Sequence, residues 1–348
     1  MTRTENPADP SSLAEHRTRR DRPDQEAGAG SQEEKETAAV PDPGCDVALY
    51  VHWPYCARIC PYCDFNVVRD RGRTDEQAGL AGAILTDMEA HAALGGPRRL
   101  ASIFFGGGTP SLMEPDAVAA RAFDRLSIDL IYARPSQTVE GWRAELTAAL
   151  DLGFEHVSPY QLTIEPTTAF GHAVARGAWT PPDEDLSAAL YETTQSVLEA
   201  AGFDAYEVSN HARGAAARSA HNLHVWRGGD YFGLGPGAHG RLTLAGARTA
   251  TVAHRRIAHY VAGVQAGVSW SERETQSKRD GAEERVMLGL RTVEGVPATV
   301  LALLDRTPVA GPLAALIESG FLTLAHGRVV ATAMGRPVLD GVLRALLV

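Results

Sequence analysis

Cys56-Ala-Arg-Ile-Cys-Pro-Tyr-Cys63 closely follows the apolar run Val47-Ala-Leu-Tyr-Val-His-Trp53. A C-x3-C-x2-C loop can place three thiolates at three corners of a [4Fe-4S] cube, which leaves the fourth iron open to a small molecule. Zinc is the alternative, and Cys45 is the only other cysteine in the sequence. A predicted strand separates Cys45 from the loop, and at about 3.3 Å per residue that strand puts it more than about 25 Å away. Zinc would then need a histidine from elsewhere, so we favour the three-thiolate cluster.

Composition limits the kinds of partner that we expect. The chain has 348 residues, 44% of them hydrophobic, and a formal net charge of −10. Binding to a nucleic-acid backbone needs clustered Lys and Arg, so we expect no nucleic-acid partner. The sequence has no run of about 20 apolar residues and no signal-peptide core, so we expect no membrane span. Crowded cysteines suit a reducing compartment, which predicts a cytoplasmic protein.

Strands and helices alternate in the first two thirds of the chain. Residues 1–44 have almost no large apolar side chain and are predicted to form a disordered tail. Beyond them, apolar runs bounded by Gly and Pro predict strands at 47–53, 102–105, 126–132 and 156–164. Helical patterns fall at 76–94, 114–123, 139–152 and 185–201. This order is typical of βαβ units around a mainly parallel sheet, so the predicted fold class is α/β.

Three polar or glycine-rich segments allow two interpretations each. Gly106-Gly-Gly-Thr-Pro110 follows a predicted strand and either reverses the chain or lets the backbone approach a ligand. His221-Asn-Leu-His-Val-Trp226 either binds a metal or flat aromatic ligand or is a hydrogen-bonded turn. Gly235-Pro-Gly-Ala-His-Gly240 matches G-x-G-x-x-G but is not followed by a helical pattern, so we do not interpret it as a nucleotide motif.

The pattern in the last third of the sequence predicts a different module. Helical runs at 283–290, 298–305 and 312–318 precede a hairpin at 321–324 and 328–332 and a closing helix at 334–347. Helices followed by a hairpin are typical of a winged-helix-like module. The acidic balance favours a packing or docking role over DNA binding.

Several motifs together resemble the radical S-adenosylmethionine superfamily. They are Tyr50-Val-His-Trp-Pro-Tyr-Cys56, the cysteine loop, Phe105-Gly-Gly-Gly-Thr-Pro-Ser111, Tyr160-Gln-Leu-Thr-Ile-Glu-Pro166 and Tyr206-Glu-Val-Ser-Asn210. More narrowly, they are similar to the branch that contains anaerobic coproporphyrinogen III dehydrogenases and HemW-type haem chaperones. Asp64-Phe65 follows the third cysteine where the dehydrogenases carry a further cysteine, which favours the chaperone type.

The resemblance implies a set of cofactor-binding residues. Cys56, Cys60 and Cys63 would hold the [4Fe-4S] cluster, and S-adenosyl-L-methionine would chelate the open iron. The implied contacts of that cofactor are Tyr50, Tyr62, Gly107, Gly108, Thr109, Asp129 and, by strand position alone, Thr163. Reduction of the cluster implies an electron donor as a partner. No catalytic residue is assigned.

The resemblance also implies haem as cargo, passed to haem-accepting proteins. The family motif His-Asn-x-x-Tyr-Trp is similar to His221-Asn222-Leu-His-Val225-Trp226, with Val225 in place of Tyr. His221 would contact the iron axially, Trp226 would stack on the porphyrin, and Asn222 belongs to the same motif. His224 is the spare axial candidate.

The pattern breaks after residue 110. Barrels of this type have six βα units, but only one helix fits between the strand that ends at Gly106 and the next strand. About two units are missing, and with them the Glu, Gln and Arg that these barrels bring to the cofactor. We expect about four of six units, with exposed sheet edges. The predicted domains are the tail 1–44, a partial barrel 45–205, a haem-motif region 206–280 and the winged-helix-like module 281–348.

Two other functions stay open. One is an oxygen-independent coproporphyrinogen III dehydrogenase of porphyrin biosynthesis. The other is a defective family member that has kept the cluster loop but lost cofactor chemistry.

Overall fold

A computed structural model of the chain describes residues 46–109 and 127–348. The predicted tail 1–44, Cys45 and the predicted helix 114–123 lie outside the described residues. Among the described residues, no helix is long and apolar enough to cross a bilayer.

The first half alternates strands and helices. Its elements are β1 (Asp46–Trp53), β2 (Tyr55–Cys56), β3 (Val68–Arg69), α1 (Thr74–Gly95), β4 (Arg99–Gly107), β5 (Ser127–Tyr132), α2 (Val139–Leu150), β6 (His156–Gln161), α3 (Ala169–Ala175), α4 (Glu184–Ala200), β7 (Asp204–Ala205) and β8 (His211–Ala212).

The second half begins with a short helix and a run of strands. Its elements are α5 (Ala220–Trp226), β9 (Asp230–Leu234), β10 (His239–Leu244), β11 (Ala247–Ala253), α6 (Ile257–Gln265), β12 (Trp270–Thr275), α7 (Lys278–Gly289), β13 (Val296–Pro297), α8 (Ala298–Ala302), α9 (Gly311–Glu318), β14 (Leu322–Ala325), β15 (Arg328–Ala331) and α10 (Leu339–Leu347).

A six-stranded mixed sheet carries the cysteine loop. Its order is β12-β11-β10-β9-β1-β4. β1 lies between two parallel neighbours, with Tyr50 opposite Phe104 on β4 and Gly233 on β9. β10, β11 and β12 extend the sheet in antiparallel fashion. Because β1 is covered on both faces, seven of its eight residues are buried, which explains the unbroken apolar run in the sequence.

Helix α1 covers one face of this sheet. Its buried residues are Leu80, Ala83, Ile84, Asp87 and His91. The spacing of three and four residues puts them on one stripe of the helix. The stripe packs on a core formed by β1, β9, β10 and α6. Two members of the stripe are polar, so this core contains a hydrogen-bonded network as well as apolar contacts.

The other strands of the predicted barrel form a separate sheet. Its order is β5-β6-β8-β7, with β5 and β6 parallel and in register from Ser127 opposite His156 onward. A second core lies between β5, β6, α2 and α4 around the fully buried Trp142 and Leu190. The four predicted barrel strands therefore divide between two sheets.

The two sheets end at β4 and β5. β4 is last in the order of its sheet, and Leu100 and Ile103 on it are 50% and 48% exposed. β5 is likewise an end strand. Among the described residues, β4 and β5 are thus end strands, and the expected incomplete barrel with exposed edges stays a prediction.

The expected domain divisions stay predictions, but the six-stranded sheet runs across one of them. Residues 206–280 were expected to form a region of their own. β9 in that region pairs in parallel with β1, and β10–β12 follow it into the sheet. The haem motif on α5 therefore packs directly on β4 and β1.

The C-terminal module has its own core. It packs α7–α10 against the three-stranded sheet β13-β15-β14 around fully buried Val286, Leu301, Leu313 and Leu346. The predicted hairpin is present as β14 and β15. The closing helix begins at Leu339 and not at 334, because Pro337 falls in a short 3-10 turn that precedes it.

Candidate functional site

The cysteine loop leaves the carboxyl end of β1 and is fixed at its base. β2 and β3 pair in parallel, with Cys56 opposite Arg69. The Cys63 amide donates to the carbonyl of Cys60 at 3.1 Å, and the Phe170 amide donates to the carbonyl of Pro61 at 2.9 Å. Cys56 is buried, Cys60 is exposed and Cys63 is intermediate. The loop therefore has an anchored base, and the exposure of its cysteines differs from one to the next.

The glycine-rich end of β4 lies against this loop. The Gly108 and Thr109 amides donate to the carbonyls of Trp53 and Tyr55, both at 2.7 Å. A Cβ on Gly108 would lie 2.4 Å from the Tyr55 carbonyl oxygen. Only glycine allows this approach. The loops after β1 and β4 thus leave the same edge of the sheet. This places beside the cysteines the residues Gly107, Gly108 and Thr109.

The three thiols form a donor set that suits a multiply charged cation. Burial raises the pKa of the Cys56 thiol, the Thr109 hydrogen bond lowers it, and charges on Cys63 and Cys60 raise it further. Mutual repulsion of this kind is relieved when a metal centre binds the thiolates. Within the described part of the chain, no group of three or more His, Cys, Asp or Glu side chains is already arranged to hold a metal ion. The three sulfurs would have to converge on a cluster.

A short hydrogen-bonded chain runs from β1 to the end of the cysteine loop. His52 Nε2 donates to the Asn66 carbonyl at 2.9 Å, so its Nδ1 accepts from the Tyr50 hydroxyl at 3.0 Å. Burial lowers the pKa of His52, which keeps the ring neutral. Both ring nitrogens of His52 are therefore in use.

Asn66 joins the loop to the Gly235–Gly240 segment. Its Nδ2 donates to the carbonyls of Pro236 and Arg255, both at 2.8 Å. Asn66 comes three residues after Cys63. The position of the cysteine loop therefore depends on the turn between β9 and β10.

Helix α5 brings the haem motif to β4. Ser219 caps it by accepting from the Asn222 amide at 3.2 Å. The His221 ring stacks on Phe104 with centroids 5.1 Å apart, and its Nδ1 pairs with Ser102 Oγ at 3.0 Å. Burial and the nearby His224 lower the pKa of His221 to about 4. The imidazole is a neutral potential ligand.

A cavity of about 630 Å³ lies between α5, the cysteine loop and the sheet. Its lining includes all three residues of the predicted haem motif, His221, Asn222 and Trp226. Aromatic lining residues are Tyr50, Phe65, Phe104 and Tyr231, and charged ones are Asp64, Arg255 and Glu272. Cavities of this size hold drug-sized ligands.

Trp226 has one face already occupied. The Arg291 guanidinium lies 5.0 Å from the indole centroid. Neither the indole N–H nor Arg291 Nε, both buried, has a hydrogen-bond partner among the residues that the structure describes. A ligand could therefore stack only on the opposite face of the indole.

His224, the predicted spare axial ligand, already uses one ring nitrogen. Its Nε2 donates to the Asp230 carbonyl at 2.8 Å. Gly229 lies against the same ring, since a Cβ there would be 2.3 Å from that nitrogen. The ring therefore holds the turn between α5 and β9.

The remaining predicted cofactor residues lie apart from this cavity. Asp129 on β5 lines a second cavity of about 570 Å³ between β4 and β5, and Asn222 borders both cavities. Tyr62 lies 6.4 Å from Phe170 between ring centroids, and burial raises its pKa to about 12. Thr163 is exposed beyond the end of β6. The structure thus brings Tyr50 and the glycines to the cysteine loop but not Asp129 or Thr163.

Sequence reasoning missed His52, Asn66 and His239 at this site. Asn66 could have been found from its place just after the cysteines. His239 lay inside a G-x-G-x-x-G segment that was assessed only as a nucleotide motif.

The C-terminal module matches a known domain. Residues 276–338 match the HemN C-terminal domain. The structure of coproporphyrinogen III oxidase (HemN) from Escherichia coli, described as a radical SAM enzyme, is similar with a TM-score of 0.70 at 17% identity. The match covers 88% of this chain and 91% of that chain. At this identity the likeness shows the fold.

Relatives extend over most of the chain. Radical S-adenosyl methionine domain-containing protein 1, mitochondrial, from Bos taurus is 32% identical, over 88% of this chain and 89% of the relative. Heme chaperone HemW from Mycobacterium tuberculosis is 29% identical, over 88% of this chain and 96% of the relative. Fold and relatives together define a radical S-adenosylmethionine protein. Within that class, the chain belongs to the HemW-type family.

The bovine alignment bears on the predicted missing segment. It spans 395 positions, whereas this chain has 348 residues. The relative therefore has positions with no counterpart here. Their location between residues 110 and 124 stays a prediction, as does a cytoplasmic location, since the bovine relative is named mitochondrial.

Proposed function

We propose that this chain is a haem chaperone that binds haem in the cavity beside α5 and passes it to acceptor proteins. The observation that carries the proposal is that His221, Asn222 and Trp226 line one cavity together with Phe65 and Asn66 of the cysteine loop. The relative named heme chaperone HemW supports haem as the cargo.

The chemistry of the cavity suits a flat apolar ring with a central metal. Its aromatic walls offer faces and edges for stacking, and Phe65 is 64% exposed, so a bound ligand would cover it. His221 offers a neutral imidazole whose other nitrogen is oriented by Ser102. Trp226 offers its free face opposite Arg291.

We also propose a [4Fe-4S] cluster held by Cys56, Cys60 and Cys63, with S-adenosyl-L-methionine beside it. When bound and reduced by an electron donor, the cluster supplies the electron that cleaves the sulfonium of that cofactor. Gly108 lets the end of β4 pack closely against Tyr55, Thr109 hydrogen-bonds the Cys56 thiol, and Tyr62 adds an aromatic wall. Gly107 and Tyr50 belong to the same proposed pocket.

The fold that we propose for this pocket is an incomplete barrel of about four of the six βα units. Asp129 would complete the pocket across the cleft between β4 and β5, where it lies. Thr163 is the weakest member, because it is exposed.

The first experiment measures the metal. Anaerobic reconstitution with iron and sulfide should load about four irons per chain. Cys60→Ser should lose the cluster, whereas Cys45→Ser, outside the loop, should keep it. One zinc per chain in place of iron would contradict the cluster.

The second experiment measures the binding of haem, the proposed cargo. Haemin titration should give a saturable shift of the Soret band, weakened in His221→Ala and unchanged in the exposed-site control His172→Ala. An assay with coproporphyrinogen, S-adenosyl-L-methionine and reductant tests the dehydrogenase alternative. Haem binding without conversion of coproporphyrinogen supports the chaperone. If the protein neither binds haem nor converts coproporphyrinogen, it is a defective family member.

A further inference from the structure

His239 lies on β10, across the sheet from the strand on which His221 packs. The strands between them are aligned by their register, which defines one row of neighbouring residues across the sheet. Tyr50 is opposite Phe104 on β4 and opposite Gly233 on β9. Arg241 is opposite Tyr231, so in an antiparallel pair His239 comes opposite Gly233. A Cβ on Gly233 would lie 2.1 Å from the His239 carbonyl oxygen, so the backbone at His239 passes close to Gly233.

The row has an imidazole at each end. Phe104 and His239 are three strands apart, which is about 14 Å at about 4.8 Å per strand. His221 stacks on Phe104 at one end of the row. His239 lies at the other end, and both residues line the same cavity. Gly233 has no side chain, so nothing from that position fills the floor between them.

Of the histidines near the cavity, His52, His221 and His239 line it and His224 does not. His52 uses both ring nitrogens, and His224 Nε2 is bonded to the Asp230 carbonyl. His221 uses only Nδ1, toward Ser102. No hydrogen bond within the described residues engages the His239 ring.

We propose that His221 and His239 bind the haem iron from opposite faces, so that the cavity holds six-coordinate haem. This inference rests on the proposed haem-binding function. Two axial nitrogens lie roughly 4 Å apart, twice a metal–imidazole bond of about 2 Å. Of the total span of about 14 Å across the strands, about 10 Å then remains for the two side chains. Arg255, on the cavity wall, is the matching cation for a propionate.

The two ligands would have different roles. His221 is half-buried and oriented by Ser102, whereas His239 is exposed. Hence His239 is the ligand that an acceptor protein displaces first. Coordination involves no net redox step: each imidazole donates one lone pair to iron.

The test uses the full chain and haemin. Wild-type protein should give a ferric low-spin absorption and electron paramagnetic resonance spectrum. His239→Ala should convert it to high spin and weaken binding by about tenfold or more, a change of about 1.4 kcal/mol per tenfold. Added imidazole should restore the low-spin spectrum of His239→Ala. His172→Ala, on an exposed helix, should match wild type.

The outcomes separate this inference from the proposed function. If wild-type protein takes up no haemin, the haem-binding function itself is wrong. If wild type binds, His221→Ala weakens binding and His239→Ala keeps both affinity and spin state, the second ligand is wrong and the haem site stands. Because His239 is exposed, His239→Ala should fold normally, and circular dichroism checks this.

Discussion

Tyr260 donates its hydroxyl proton to Asp87 Oδ2 at 2.7 Å, at the centre of a buried network. The same hydroxyl accepts from the Gly235 amide at 2.9 Å. Asp87 also contacts His91 Nδ1 at 3.1 Å, and His91 Nε2 accepts from Trp270 at 3.1 Å. The network therefore links α1 to the turn on which Asn66 and the cysteine loop rest.

Tyr260→Phe should destabilise the chain by about 1–3 kcal/mol, because the buried Gly235 amide loses its partner and the Asp87 carboxylate loses one of its two. It should also weaken haemin binding, because the Gly235 turn borders the cavity. Urea unfolding measures the first effect and titration the second. Tyr191→Phe is the matched control and should change stability by less than about 0.5 kcal/mol. Equal effects of the two variants would show that the network adds nothing.

Gly108→Ala should prevent normal docking of the cysteine loop. Its Cβ would lie 2.4 Å from the Tyr55 carbonyl oxygen, so backbone must shift. We expect iron loading to fall well below that of wild type, measured as iron per chain after reconstitution. Gly79→Ala on α1 is the control, since nothing lies within 4 Å of its Cβ. That change should stabilise the helix by about 0.5–1 kcal/mol. Full iron loading in Gly108→Ala would contradict the close approach.

Stability should fall as the solution is acidified from about pH 6.5 to 4. Burial, then His156 and Arg336, lower the pKa of His211 from 6.5 to about 4. The unfolded chain therefore binds the proton first, so stability is full above about pH 6.5 and decreases through this window by up to roughly 3 kcal/mol. His211 Nδ1 is buried without a partner, while Nε2 donates to Gln195 at 3.1 Å.

His211→Gln should flatten this pH dependence without abolishing it, because His221 shifts in the same direction. Unfolding free energies at a series of pH values measure the slope. The control His172→Gln changes an exposed residue and should keep the wild-type slope. An unchanged slope in His211→Gln would contradict the assignment.

The sequence predicted local elements better than their pairing. β1, α1, α2 and α4 follow from apolar runs and helical spacing that a window of a few residues contains. The parallel pairing of β9 with β1 joins residues about 180 positions apart, and Asp230–Leu234 is too short to stand out beside a glycine turn. Pairing between strands that are far apart in the chain cannot be predicted from a short window of a single sequence.

The residues of the candidate site also fall into two groups: those that local motifs predict and those that long-range contacts place. The cysteines and His221 were predicted because spacing and motif order identify them. His239 reaches the cavity through strand pairing, and one ring nitrogen of His224 is bonded to the Asp230 carbonyl. Neither the strand register nor this hydrogen bond can be predicted from the types of residue in the sequence.

The end strand β4 should make the chain prone to self-association. Ile103 lies opposite Leu49 in the β4–β1 pair and is 48% exposed, on a strand that ends its sheet. An apolar end strand offers unpaired backbone groups to another chain, and a lysine on such a strand blocks the pairing. Ile103→Lys should slow the growth of light scattering at raised concentration while changing unfolding free energy by about 1 kcal/mol or less. Leu152→Lys is the control, since Leu152 is 67% exposed beyond the end of α2 and lies on no strand. If both lysine variants slow scattering equally, added charge is the cause and the β4 edge is not the contact.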